Sequence, residues 1–178
     1  MKAPRSLVLI QTLVCLFLFT MPGRPAEKNP PGDIPDDQVF VSYKSSAGGY
    51  TLKVPEGWAR SEKGSDVDFV DKFDGVAVAV TSAPTAPTVK EVVAQLEKPE
   101  KAVHVVGTKE VRLPAGQALL IKYESESDVN PTTNKRIRLE NEAYLFYKEG
   151  KLATLTLWAP KGADNADQWK MMSESFRW

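Results

Sequence analysis

From residue 39 onward, apolar side chains return at every second position, and glycine or proline interrupts the pattern at short intervals. That alternation constrains the fold more than any other feature. A period of two puts one set of side chains on a buried face and the next on an exposed face only in an extended strand. In "GGYTLKVPEGW", Gly48 to Trp58, the side chains of Tyr50, Leu52 and Val54 share one face. The preceding run "VFVSYKS" supplies the other arm of a hairpin, with Gly48 and Gly49 in a turn that calls for positive φ. Pro55 has no N–H to give to a ladder, so it ends the strand, and Gly57 lets the chain carry Trp58 back as a lid on the core.

The same reading predicts a second hairpin from "DVDFVDKF" (Asp66 to Phe73) and "GVAVAVTSA" (Gly75 to Ala83). Further strands follow in "TKEVRL", "QALLIKYES", "RIRLENEAYLFYK" and "LATLTLWA", the last two joined by a tight turn at Gly150. Two segments switch to helical spacing. Val89, Val92, Val93 and Leu96 follow a Thr88/Glu91 capping box, and Trp169, Met172 and Phe176 follow Asp164 as N-cap, with Phe176 and Trp178 directed at the core or the sheet edge. Hairpin-linked strands with two amphipathic helices imply the α+β class: one antiparallel β-sheet flanked by helices, occupying residues 39–178 as a single domain.

Upstream of this domain the composition changes. Lys2 and Arg5 precede an apolar run from Leu7 to Met21, shorter than the roughly 20 residues a spanning helix needs. Residues 1–26 therefore read as a signal peptide or, if retained, as an N-terminal membrane anchor, with Cys15 as the acylation point of a lipoprotein alternative. Residues 27–38, with Pro30, Pro31 and Pro35, read as a Pro-rich linker that tethers the domain. Cys15 is the sole cysteine, so a chain without its leader has no disulfide, thiolate metal site or cysteine nucleophile. Loss of Lys2, Arg5 and Arg24 leaves 20 basic against 23 acidic residues, a balance that argues against nucleic acid as a partner.

The inventory also argues against catalysis. His104 is the only histidine, in the valine-rich "AVHVVG", and reads as structural or incidental. No glycine-rich phosphate loop or G-x-S-x-G elbow is present. The acidic set Asp66, Asp68, Asp71 and Asp74 has oxygen ligands suited to a hard cation, but Asp71 alternates away from Asp66 and Asp68, so a solvated sheet edge is expected rather than a metal site. No cofactor is expected. For binding, the candidates are Arg136, Arg138, Glu140 and Glu142, a charged face with interspersed signs, together with Asn130 and Asn134 in the loop "SESDVNPTTNKR". On a strand such charges commonly form cross-strand ion pairs, and the loop is either a binding loop or a spacer between two strands. The expectation drawn from them is that loop and charged strand together meet a protein partner at a membrane surface.

The stretches "GGYTLKVPEGW", "DVDFVDKF" and "GKLATLTLWAP" and the closing "MMSESFRW" resemble the photosystem II extrinsic protein PsbP family. The likeness extends to the wider superfamily that includes bacterial exported DcrB-like lipoproteins. It runs through nearly the whole of the chain after the leader, and rests on Gly49, Tyr50, Pro55, Gly57 and Trp58 and on Ser175 to Trp178 in combination. The resemblance implies a sheet between helices (a PsbP-like α/β/α sandwich), a periplasmic, cell-surface or thylakoid-lumenal address, and a non-catalytic accessory role. The expected function is that of a monomeric binding protein serving the assembly or stability of a protein complex, with photosystem II as the specific branch. The alternatives are a general cell-envelope lipoprotein-like protein and a carrier of a small apolar ligand.

Overall fold

The alternating runs form nine strands among the described residues, which in this computed structural model are 31–97 and 102–178. They are β1 (Phe40–Ser45), β2 (Tyr50–Pro55), β3 (Ala59–Lys63), β4 (Asp66–Asp71), β5 (Asp74–Ser82), β6 (His104–Leu113), β7 (Gly116–Glu126), β8 (Arg138–Lys148) and β9 (Lys151–Pro160). The helices are α1 (Val89–Leu96) and α2 (Ala166–Ser175). The leader at 1–26, Cys15 and the linker as far as residue 30 lie outside the described residues. Among the described residues, no helix is long and apolar enough to cross a membrane.

Seven strands form one sheet in the order β3-β4-β5-β9-β8-β7-β6, with every neighbouring pair antiparallel, while β1 and β2 pair only with each other. The α+β expectation therefore holds, and the two faces of the sheet are covered unequally. Val67, Val76, Val78, Leu120, Tyr144, Phe146, Leu155 and Leu157 point to one face, where Tyr50, Leu52 and Val54 of the small hairpin and Trp169, Met172 and Phe176 pack onto them. The opposite face carries a smaller cluster, Ile121, Ala143 and Leu145, covered by Val92 of α1. Trp58 packs half-buried against the larger core, as a lid would.

The C-terminal residues close the hairpin. Gly49 has φ +69°, and a Cβ on Gly48 would lie 2.2 Å from Cε1 of Tyr50, so both turn positions exclude side chains for separate reasons. The Thr51 N–H donates to the Arg177 carbonyl at 2.9 Å, the Arg177 N–H donates back to the Thr51 carbonyl at 3.0 Å, and Trp178 Nε1 donates to the Gly48 carbonyl at 3.2 Å. Ring contacts run inward from there, Tyr50 to Phe176 at 5.7 Å and Phe176 to Phe146 at 5.1 Å between centroids.

Several expectations need correction. The strand β3 is missing from the sequence reading because all five of its residues, "ARSEK", are exposed and carry no apolar alternation; its charges suit a sheet edge, where they discourage pairing with other chains. The sixth strand begins at His104 rather than Thr108, and the long strand β8 begins at Arg138 rather than Arg136. His104 is exposed, with Nδ1 3.5 Å from Glu97 Oε1. The capping box is present: the Glu91 N–H donates to Thr88 Oγ1 at 3.3 Å and the Thr88 N–H to Glu91 Oε2 at 2.8 Å. At the second helix the N-cap is Asn165, not Asp164, and its side chain makes no capping bond because it is engaged elsewhere. The acidic set is not a uniformly solvated edge: β4 is interior to the sheet and Asp74 is buried. Within the linker, Gly32 to Asp36 lie along α2 rather than standing free, with the Ile34 N–H donating to Asn165 Oδ1 at 2.7 Å.

Replacing a buried ring at the junction leaves a cavity between layers. Phe176→Ala should lower the unfolding free energy by about 3–5 kcal/mol in urea titration; a loss under about 1 kcal/mol would mean that the ring contacts do not hold the hairpin to the sheet.

Candidate functional site

Because α1 is only eight residues long, it shields one end of its face and leaves the other open. The open end is a groove of about 810 Å³. Its floor is built from side chains of four strands, Val70 of β4, Thr156 and Trp158 of β9, Leu139 and Asn141 of β8, and Tyr123 of β7, with β5 passing between β4 and β9. One wall is the β4–β5 turn with Lys72 and Phe73, the other the loop from Ser127 to Ile137.

Trp158 lies in the floor because residue 75 is glycine: a Cβ there would fall 1.9 Å from Cζ2 of the indole. Tyr123 continues the apolar surface toward the cluster under α1, and its desolvation raises the phenol pKa. Asn141 is buried, and its amide donates to the Tyr123 carbonyl at 3.1 Å and to Ser125 Oγ at 2.9 Å, which leaves Oδ1 as the acceptor it can offer. Phe73, at the rim, is 39% exposed.

The loop wall is cross-braced. The Ser127 N–H donates to the Ile137 carbonyl at 2.9 Å, and the Ile137 N–H to Ser127 Oγ at 3.1 Å. Asn130 Oδ1 accepts from the N–H groups of Thr132 and Thr133 at 2.9 and 3.0 Å, the asparagine turn that a short amide side chain forms with its own backbone. Asn134 takes φ +52°, a conformation asparagine tolerates better than most residues, and donates its N–H to the Asn130 carbonyl at 2.8 Å. Arg136 Nη1 holds the Ser127 carbonyl at 2.8 Å. The bracing gives this segment a defined conformation. The rim charges are mixed, Lys72 and Lys135 against Glu126 and Asp128, over an aromatic floor.

The six residues singled out in the sequence do not converge. Asn130, Asn134 and Arg136 belong to the loop wall, whereas Arg138, Glu140 and Glu142 alternate to the other face of β8. There Arg138 pairs with Glu124 at 3.2 Å, Lys161 pairs with the same carboxylate, and Glu142 pairs with Lys122 and accepts from the Tyr144 hydroxyl. The hydrogen bonds from Lys161 and Arg138 lower the Glu124 pKa, while desolvation raises that of Glu140. Of these groups, Lys122, Glu124, Glu140 and Glu142 line a smaller cleft of about 260 Å³ beside the start of α2. Their charges are largely satisfied by one another, so this cleft has less to offer a ligand than the groove does. Among the described residues, no group of three or more His, Cys, Asp or Glu side chains is placed to hold a metal.

Sequence reasoning found the loop but missed the floor. Trp158, Tyr123 and Phe73 each sit in a strand or turn read correctly, yet only the strand order brings them together.

The PsbP family model matches residues 38–178. The chain belongs to the PsbP family. No curated protein matches it in sequence. Among solved structures it is similar to cyanobacterial PsbP (CyanoP) from Synechocystis sp. PCC 6803, with 16% identity and a TM-score of 0.54 over 82% of this chain and 97% of that one. Looser likenesses are to a protein from Bacteroides thetaiotaomicron VPI-5482 (9% identity, TM-score 0.47, 75% of this chain and 47% of that one) and to a Pseudomonas aeruginosa protein of unknown function (14%, 0.40, 74% and 91%). At these identities the cyanobacterial likeness speaks to the PsbP-like fold. The stretches that carry the family resemblance, around Gly48 to Trp58 and Ser175 to Trp178, meet in space through the Thr51–Arg177 pair and the Trp178–Gly48 bond.

Filling the space under Trp158 should disturb the floor. Gly75→Ala is expected to cost about 1–3 kcal/mol and to shift the tryptophan emission maximum; unchanged emission with unchanged stability would mean that the indole has room to move.

Proposed function

We propose that this chain is an exported, non-catalytic accessory protein that binds a protein partner at a membrane surface, and that the groove between the β4–β5 turn and the Ser127–Ile137 loop receives a segment of that partner. The groove carries the reading: an aromatic floor with one free amide acceptor, between two walls of fixed shape, suits an extended peptide segment. Exposed aromatic area at little entropic cost is what protein-binding surfaces concentrate. The leader pattern at residues 1–26 supports export, and membership of the PsbP family supports a membrane-bound complex, photosystem II in a photosynthetic host, as the partner. Export and membrane attachment belong to the same proposal.

A carrier of a small apolar ligand is less well supported. It would need an enclosed cavity between the layers, and that space is filled by Tyr50, Phe146, Met172 and Phe176.

The test is rebinding of purified protein to host membranes stripped of extrinsic proteins. Phe73→Glu should weaken rebinding at least about tenfold, while Arg138→Ala on the opposite face should leave it near wild type. Wild-type rebinding by the Phe73 variant, or loss confined to the Arg138 variant, would move the binding surface away from the groove.

A further inference from the structure

One polar side-chain atom among the described residues is buried with no hydrogen-bond partner, and it lies outside the floor of the groove: Oδ1 of Asp74. Asp74 opens β5 directly after Phe73, and the residue is 6% exposed. Above it passes the segment Gly32 to Asp36. A Cβ on Gly32 would fall 3.0 Å from Asp74 Oδ1 and 2.4 Å from Cδ of Pro160, so the backbone of the strap rests directly on the carboxyl and on the end of β9.

The strap is tied at several points to α2 and the residue before it. Asn165 is buried and clamps the strap in both directions, accepting the Ile34 N–H at 2.7 Å and donating to the Gly32 carbonyl at 2.7 Å. Gln168 Nε2 lies 3.2 Å from both the Ile34 carbonyl and Asp36 Oδ1. Asp33 Oδ1 accepts the Asp164 N–H at 2.9 Å, and Ile34 is 4% exposed. These ties work against whatever lies beneath the strap, and beneath it is a carboxyl oxygen without a donor.

We propose that Asp74 and the strap Gly32–Asp36 form a proton-operated latch, in which the strap stays docked while the carboxyl keeps its proton and detaches when the carboxyl ionises. The ionised form would hold one buried oxygen, Oδ1, that no donor meets. The charged groups acting on it are Asp33 from the strap, Asp71 from the end of β4 and Lys72 from the turn; β9 meets the strap with the uncharged Pro160. Two of those three charges repel it, and Asp33 belongs to the very segment that would move. Burial first, then Asp71 and Asp33, raise the Asp74 pKa from its ordinary 3.8 to about 7, with Lys72 opposing. The sign follows from linkage. A carboxyl that titrates higher in the docked state than in the free one favours docking fully below about pH 3.8, and that preference is lost as pH rises through about 7. Because Lys72 and Phe73 stand on the groove wall next to Asp74, release would also loosen that wall. The latch does not depend on the groove being the binding site.

Hydrogen exchange on the full chain tests it, read at the Ile34 N–H and corrected for the intrinsic pH dependence of exchange. Between about pH 5.5 and about pH 8.5, protection at Ile34 should fall at least about tenfold while protection at Leu155 in β9 holds. Asp74→Asn should keep the strap protected at both ends of the range, and Asp33→Asn should move the midpoint to lower pH and shrink the total loss, since removing a repelling charge stabilises the ionised carboxyl and lowers the Asp74 pKa. Equal Ile34 protection across the range, parallel loss at Ile34 and Leu155, or a wild-type pH profile in Asp74→Asn would each overturn the latch. Should Asp74→Asn fail to fold, the midpoint in Asp33→Asn decides: no displacement means that Asp74 does not communicate with the strap.

Discussion

The ring contacts from Tyr50 through Phe176 to Phe146 are the joint on which the rest of the molecule depends. The β1–β2 hairpin shares no hydrogen-bond ladder with the seven-stranded sheet, so it is held by packing, by the Thr51–Arg177 pair, by the Trp178–Gly48 bond and by single bonds from the Tyr50 hydroxyl to the Ser65 carbonyl and from the Lys53 N–H to Ser175 Oγ. Full burial of each ring contributes roughly 1.5–3 kcal/mol over leaving it exposed, and the backbone pair fixes the direction in which the chain leaves α2. The hairpin and the last helix thus cover one face of the sheet as a unit. Through it the two stretches that carry the family resemblance, far apart in the chain, lie against each other in the fold.

Covering one face so completely leaves the other to α1 alone. A single short helix whose one buried side chain is Val92 shields Ile121, Ala143 and Leu145 and little else. Beyond its reach, the sheet presents Tyr123, Trp158 and Leu139 between a braced loop and a tight turn. The groove is therefore a consequence of unequal layering, and its rigidity comes from backbone-directed bonds of Ser127, Asn130 and Arg136 rather than from burial.

Polar satisfaction separates the two concave regions. Lys122, Glu124, Arg138, Glu142 and Lys161 neutralise one another across β7, β8 and the turn after β9, which leaves few charges free. Asp74 departs from this pattern. A carboxyl with a buried oxygen that meets no donor costs stability when ionised, and this one lies directly under the N-terminal strap.

Local pattern alone determined the hairpins, the capping box at Thr88 and Glu91, the inward course of Phe176 and Trp178, and the α+β class, because each depends on residues within a turn or two of one another. It could not reveal β3, whose five exposed residues give no alternation to detect, nor the engagement of Asn165 with Ile34, 131 positions earlier in the chain. The split of Asn130 from Glu140 and Glu142 was half legible, since parity along β8 already sends Asn141 and Glu142 to opposite faces. What parity lacks is the strand order. Only the placement of β9 between β5 and β8 sets Trp158 beside Asn141 and Val70 near both, and that placement is decided by the long-range pairing and layer packing that bury the sheet, which no short window of sequence contains.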